Sequence, residues 1–142
     1  MALIQKKANL SPIKATPEFF SDFLTNLNVT NVKKDLTRAV NEEAVKTSIR
    51  NLLLTNRGDR FFRNTIGSDL RSMLFELSSP ANEQMIADLI RTTIDNYEPR
   101  ASIVDVRVES DDDNNMVIAT IVFNIINKEE PIVLDLILNR IR

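Results

Sequence analysis

The sequence predicts an α+β fold, with three main helices packed on one side of a small antiparallel sheet. Three observations predict it. Apolar residues recur at helical spacing as far as Pro99 and at every second position beyond it, so one chain carries both periods in separate halves. Two clusters of turn chemistry, residues 111–115 and 127–131, divide the second half into a three-stranded meander. The 142 residues are 43% hydrophobic with a net charge of −2, which suits one packed core and not a disordered chain.

Residues 1–30 read as an N-terminal arm, and residues 31–142 as a single α+β domain. The arm holds Phe19, Phe20, Phe23 and Leu24 after Pro17, which predicts a short helical piece with Thr16 as its cap and Pro17 at its first position. Its exposed phenylalanines need a surface, either on this chain or on a partner. Asp35–Val40 is assigned as a further short strand. Asn41 is placed as the cap of the first main helix, with Glu42 and Glu43 in the first turn. Val45, Ile49, Leu52 and Leu53 make its apolar face, and Gly58 terminates it beyond Thr55 and Asn56.

A loop from Arg57 to Gly67 carries Arg60, Phe61, Phe62 and Arg63. Ser68 caps a short second helix with Leu70, Met73, Leu74 and Leu77. Ser79 and Pro80 open the third, whose stripe is Met85, Ile86, Leu89, Ile90, Ile94 and Tyr97. Pro99 stops it. Val104, Val106 and Val108 then alternate with Asp105, Arg107 and Glu109 in a strand with one wet face. Met116–Ile126, apolar on both faces, is the central strand. Ile132, Leu134, Leu136 and Leu138 line one face of the last.

Composition narrows the chemistry. The chain has no cysteine and no histidine, so a thiolate metal site, a cysteine nucleophile and a Ser-His-Asp triad are excluded. Its two glycines cannot form a phosphate-cradling loop of the common kinds. Asp111–Asp113 lacks the glycine and the spaced ligands of a calcium loop and reads as a solvated hairpin tip. Neither cofactor nor metal is expected. No apolar run is long enough to span a membrane, and none at the N-terminus resembles a secretory signal. A two-carboxylate glycosidase survives these exclusions, with Glu76, Glu83, Asp88, Asp95 and Glu98 as candidates.

Binding is the better-supported class. Residues 1–34 hold five lysines against two acids, whereas the remainder holds 13 basic and 18 acidic residues. Arg57, Arg60 and Arg63 with the two phenylalanines suit either single-stranded nucleic acid or a protein interface, and the acidic remainder favours protein. At the end of the third helix, Glu98-Pro99-Arg100 is either a plain helix stop or a rigid corner presenting its two charges on opposite sides of a bend. The last strand carries only Asp135 as a charge between Ile132 and Leu138. It therefore reads as an edge left open for another chain's strand.

The ordered set of motifs resembles the contractile-tail baseplate wedge family. Leu53, Thr55, Gly58 and Arg60 stand at the spacing of that family's L-x-T-x-x-G-x-R pattern. Gly67, Leu70, Leu74 and Phe75 follow as its glycine and short amphipathic helix, and Asn96-Tyr97-Glu98-Pro99-Arg100 is similar to its EPR motif. Ala101 replaces the usual bulky aliphatic, and Asn64-Thr65-Ile66 replaces a segment that often holds a proline and an aromatic.

The resemblance implies a structural virion protein of the tail baseplate, assembled in the host cytoplasm. It would clamp the helical core bundle of larger wedge proteins through Glu98, Pro99 and Arg100, and Arg57 and Arg60 are further expected contacts. It would also template the tail sheath protein's first ring by strand addition along Ile132, Leu134, Leu136 and Leu138. No nucleic acid, membrane or small-molecule substrate is implied. The alternatives are the type VI secretion baseplate subunit and a lysozyme-like glycosidase.

Overall fold

The computed structural model describes residues 17–23, 29–30, 35–76, 79–126, 128 and 130–140. Near the N-terminus, β1 (Ser21–Phe23) pairs antiparallel with β4 (Arg38–Val40), while β2 (Val29–Thr30) pairs with β3 (Asp35–Leu36). The helix expected in the arm is therefore corrected over residues 17–23: none of them is helical, and Ser21–Phe23 is a strand. Its phenylalanines suit a strand as well as a helix, and pairing with β4 supplies backbone partners that a lone turn of helix would lack. Thr16 and Leu24 lie outside the described residues.

Asn41 also behaves differently from its expected capping role. Its side chain makes no cap hydrogen bond to α1 (Glu42–Leu54). Instead Oδ1 accepts from the backbone N–H of Phe19 (2.9 Å) and Phe20 (3.4 Å), and Nδ2 donates to the Pro17 carbonyl (3.1 Å). Its own N–H donates to the Phe20 carbonyl at 2.8 Å. Asn41 sits at φ +50°, a region asparagine tolerates better than most residues. One side chain thus clasps the arm to the domain.

α1 buries Val45, Ile49, Leu52 and Leu53 as its spacing predicts. After it, Gly67 (φ +137°) lets the chain return against the helix end, where a Cβ would lie 2.6 Å from the Thr55 carbonyl oxygen. That approach lets the Ser68 N–H donate to the same oxygen at 2.8 Å. Ser68 is buried, and its hydroxyl donates to the Leu53 carbonyl at 2.6 Å, tying the loop to α1. α2 (Leu70–Met73) is one turn only, and Leu77 lies outside the described residues. α3 (Pro80–Tyr97) opens as expected: the Ser79 hydroxyl accepts from the Asn82 N–H at 3.2 Å. Ile86, Ile90 and Ile94 are buried, whereas Met85 is half exposed.

The sheet is the meander β5 (Ala101–Asp111), β6 (Met116–Ile125) and β7 (Ile132–Asn139), with β6 central. Helices cover one face. There Phe123, Ile121, Ala119 and Val117 of β6 meet Ile49, Ile86, Ile90 and Ile94 in a single core. The alternation expected for β5 fails at Val104, which is 53% exposed. A register shift between Ile103 and Asp105 takes Val104 out of step, so Ile103 and Val106 both turn toward the helices. At the hairpin tip, Asn114 donates through its backbone and side chain to Asp111 (3.1 and 2.8 Å), and Arg140 reaches Asp112 at 3.0 Å. Among the described residues no helix is long and apolar enough to cross a membrane.

Candidate functional site: a charged corner and an open strand edge

The end of α3, the middle of α1 and the clasped arm converge on Glu98 and Arg100. Pro99 ends the helix, and the chain turns directly into β5, with the Ala101 N–H donating to the Glu98 carbonyl at 3.1 Å. The two charged side chains do not point to opposite sides of this bend, which is one of the two arrangements the sequence allows. They face each other: Arg100 Nε donates to Glu98 Oε1 at 2.6 Å and Nη2 donates to Oε2 at 2.8 Å. A turn of two residues places both side chains over α1, where a planar guanidinium matches a carboxylate in both bonds.

Ser48 completes the cluster, its hydroxyl donating to Glu98 Oε2 at 2.5 Å from a position 50 residues away. Glu98 is only 3% exposed. Burial would raise its carboxyl pKa, but the hydrogen bonds from Arg100 and Ser48 and the guanidinium charge together hold it below the usual value. Arg100 is raised in turn, first by the bond to Glu98, against burial, and further by the charges of Glu98 and Asp22. The Arg100 side chain keeps 31% of its surface in water, and its guanidinium carbon lies 5.5 Å from the centroid of the Phe20 ring. The arm therefore forms one wall of the corner, which the sequence reading did not foresee.

Asp22 and Ser48 also line an open polar groove of about 410 Å³, with Asn51, Arg60, Arg63 and Tyr97 among its other walls. Tyr97 was expected only as the end of an apolar stripe; its hydroxyl in fact donates to the Thr65 carbonyl at 2.7 Å and holds the 57–67 loop beside the corner. Arg60 thus joins the corner's groove. Arg57 does not, and pairs instead with Asp69 at 3.3 Å.

The second feature is the outer edge of the sheet. β7 pairs with β6 on one side and with no strand on the other among the described residues. Ile132, Leu134, Leu136 and Leu138 are all 5% exposed or less, so these side chains belong to the core, and only the backbone edge above them is open. Val133 and Ile137, 51% and 60% exposed, face outward. A groove of about 310 Å³ runs beside the end of β7, walled by Leu53, Leu54, Leu70, Leu74 and Ile137.

The remaining carboxylates considered for catalysis have other duties or face water. Glu83 accepts from the Ser110 N–H at 3.1 Å, Asp88 accepts from Gln84 at 3.1 Å, and Glu76 and Asp95 are exposed. A glycosidase acid needs a raised pKa, the reverse of the shift at Glu98.

Residues 39–130 match the model of a family described as baseplate wedge protein gp25. The chain is 30% identical over 99 residues to the baseplate wedge protein gp25 of Enterobacteria phage T4, covering 70% of this chain and 75% of that protein. Among solved structures, a candidate tail lysozyme from Geobacter sulfurreducens superposes with a TM-score of 0.67 at 20% identity, covering 71% of this chain and 92% of that one. A chain of the anti-feeding prophage baseplate superposes with a TM-score of 0.60 at 19% identity, covering 87% of each. At those identities the structural likenesses speak for the fold.

Proposed function

Because the chain belongs to the baseplate wedge protein gp25 family and is a structural component of a contractile tail, we propose that it holds two assemblies together through its two open features. At the corner, Glu98 does not reach outward. It orients Arg100, and Arg100, with the groove beside it, grips the helical core bundle of the larger wedge proteins. A guanidinium fixed by a bidentate bond loses little freedom on docking. The acceptors it suits are carboxylates and the free carbonyls at helix C-termini.

At the second feature, a strand of the tail sheath protein adds to the β7 edge. Its backbone continues the sheet, and alternate side chains drop into the groove beside Leu53, Leu54, Leu70 and Leu74. Ile132, Leu134, Leu136 and Leu138 support that strand from within the core. The chain assembles in the host cytoplasm and works in the virion's baseplate. Neighbouring tail genes or secretion genes distinguish a phage tail from the type VI secretion alternative.

The observation that carries the proposal is the corner itself: a buried carboxylate committed to one arginine that is a third exposed, bonded to the Ser48 that also lines a polar groove. The test is a mixing experiment with purified wedge components. Arg100→Gln, folded by circular dichroism, is expected to block wedge assembly; normal assembly would refute the clamp. Peptidoglycan hydrolysis lost on changing a single carboxylate would favour the glycosidase instead.

A further inference from the structure

The corner and the strand edge leave Phe61 and Phe62 unused, at the tip of the loop whose Arg60 and Arg63 line the corner's groove. Phe61 is 93% exposed and Phe62 101%, more than any other large apolar side chain among the described residues. Single exposed apolar residues are ordinary, but two adjacent phenyl rings wholly in water are an unfavourable arrangement that a buried contact would relieve.

The loop beneath them is well braced. The Gly58 N–H donates to the Asn64 carbonyl (3.0 Å), Arg63 to Arg60 (3.2 Å) and Ile66 to Arg63 (3.1 Å), while the Tyr97 hydroxyl fixes Thr65. A preformed turn of this kind loses little entropy when its tip is captured. The flanking charges are uncommitted as well. Arg57 pairs with Asp69, and Asp59 Oδ2 accepts from the Asn56 N–H, whereas no carboxylate among the described residues pairs with Arg60 or Arg63.

We propose that this tip inserts its two rings into an apolar pocket rimmed by carboxylates on a neighbouring protein subunit of the baseplate. The inference rests on the reading that the chain works inside a baseplate and adds to it a third contact of defined chemistry. Two aromatic anchors between two free arginines match the residue types that dominate protein interfaces, and the cations select an acidic rim. A nucleic acid strand would need a continuous basic track. Here Asp22 interrupts the groove that Arg60 and Arg63 line, and the whole chain carries a net charge of −2.

The experiment compares hydroxyl-radical labelling of Phe61 and Phe62 in the free chain and in purified intact tails, and the incorporation of variants in the wedge mixing assay. Labelling is expected to fall at least about ten-fold on assembly. Phe61→Ser/Phe62→Ser, unchanged in melting temperature because the rings touch nothing, is expected to weaken incorporation at least about thirty-fold, the loss typical of a hot-spot anchor. Arg60→Gln/Arg63→Gln is expected to weaken it as well and to lessen its salt dependence.

Equal labelling of both rings in free and assembled protein would overturn the proposal, as would normal incorporation of the phenylalanine variant. Binding of a labelled single-stranded oligonucleotide, or of anionic phosphatidylserine vesicles, that is lost in the same variant would overturn it in favour of those partners. If wild-type chain fails to enter the baseplate at all, the broader reading falls too; if wild type and tip variants both enter, only the tip assignment falls.

Discussion

Replacing Glu98 by glutamine is expected to destabilise the fold through one identifiable cluster. The carboxylate is buried and accepts from two Arg100 nitrogens, Nε and Nη2, and from Ser48. Glutamine keeps the shape but removes the charge and turns one acceptor into a donor facing other donors. Removing one partner of a buried ion pair costs about 3–5 kcal/mol. Arg100 retains 31% of its side-chain surface in water, which screens the orphaned charge and lowers the expectation to about 2–3 kcal/mol. For a chain of this size that corresponds to a fall in melting temperature of about 5–10 °C.

The pH dependence has a definite sign. The folded pKa of Glu98 is depressed, so its contribution is fully present above the unfolded value of about 4.3 and fades as pH falls through the lower folded value. The gap between wild type and variant should stay constant from neutrality to about pH 5 and close in stronger acid. Thermal unfolding across that range, with Glu98→Gln, Arg100→Gln and the double variant, gives a cycle whose coupling should exceed about 1 kcal/mol. Additive effects, or a gap that does not change with pH, would refute the reasoning.

Further outcomes follow from single residues. Gly67→Ala should destabilise by about 3 kcal/mol or more in chemical denaturation, because its Cβ would meet backbone at 2.6 Å. Gly58→Ala, at φ +92° with open space around it, should cost only about 1 kcal/mol. Asn41→Gly preserves the positive φ but removes the clasp, so hydrogen exchange at Phe19 and Phe20 should rise while the sheet amides stay protected. Tyr97→Phe removes the bond to Thr65 and should expose the loop to trypsin after Arg60 or Arg63 faster than wild type, at a stability cost of about 1 kcal/mol.

Much of this is legible in the sequence. The change of period at Pro99, the Ser79–Pro80 helix start and the double-sided apolarity of Met116–Ile126 are local signals, and the described elements follow them. What escaped is non-local. The Phe19–Phe23 cluster carries no local mark that separates a strand from a helix, because only pairing with β4 decides it. Asn41 looks like a cap since capping and clasping use the same amide. The departure at Val104 leaves the valine spacing intact and cannot be read from it.

At the corner, the motif Glu98-Pro99-Arg100 was visible. That its charges bind each other depends on side-chain torsions, and on a serine 50 residues distant from Glu98. A polar Ser48 beside the apolar positions of α1 was the available hint. For the last strand, alternation identified the buried face correctly, and the open backbone edge follows from β7 coming last in the meander.

The central claim is that this subunit joins a helical bundle at its charged corner to a strand from another chain at its sheet edge. Cryo-microscopy of the intact tail tests it most directly. The account predicts Arg100 within hydrogen-bonding distance of helices from the larger wedge proteins, and β7 extended by a strand of the first sheath ring. A corner open to solvent, with β7 unpaired in the assembled particle, would contradict it.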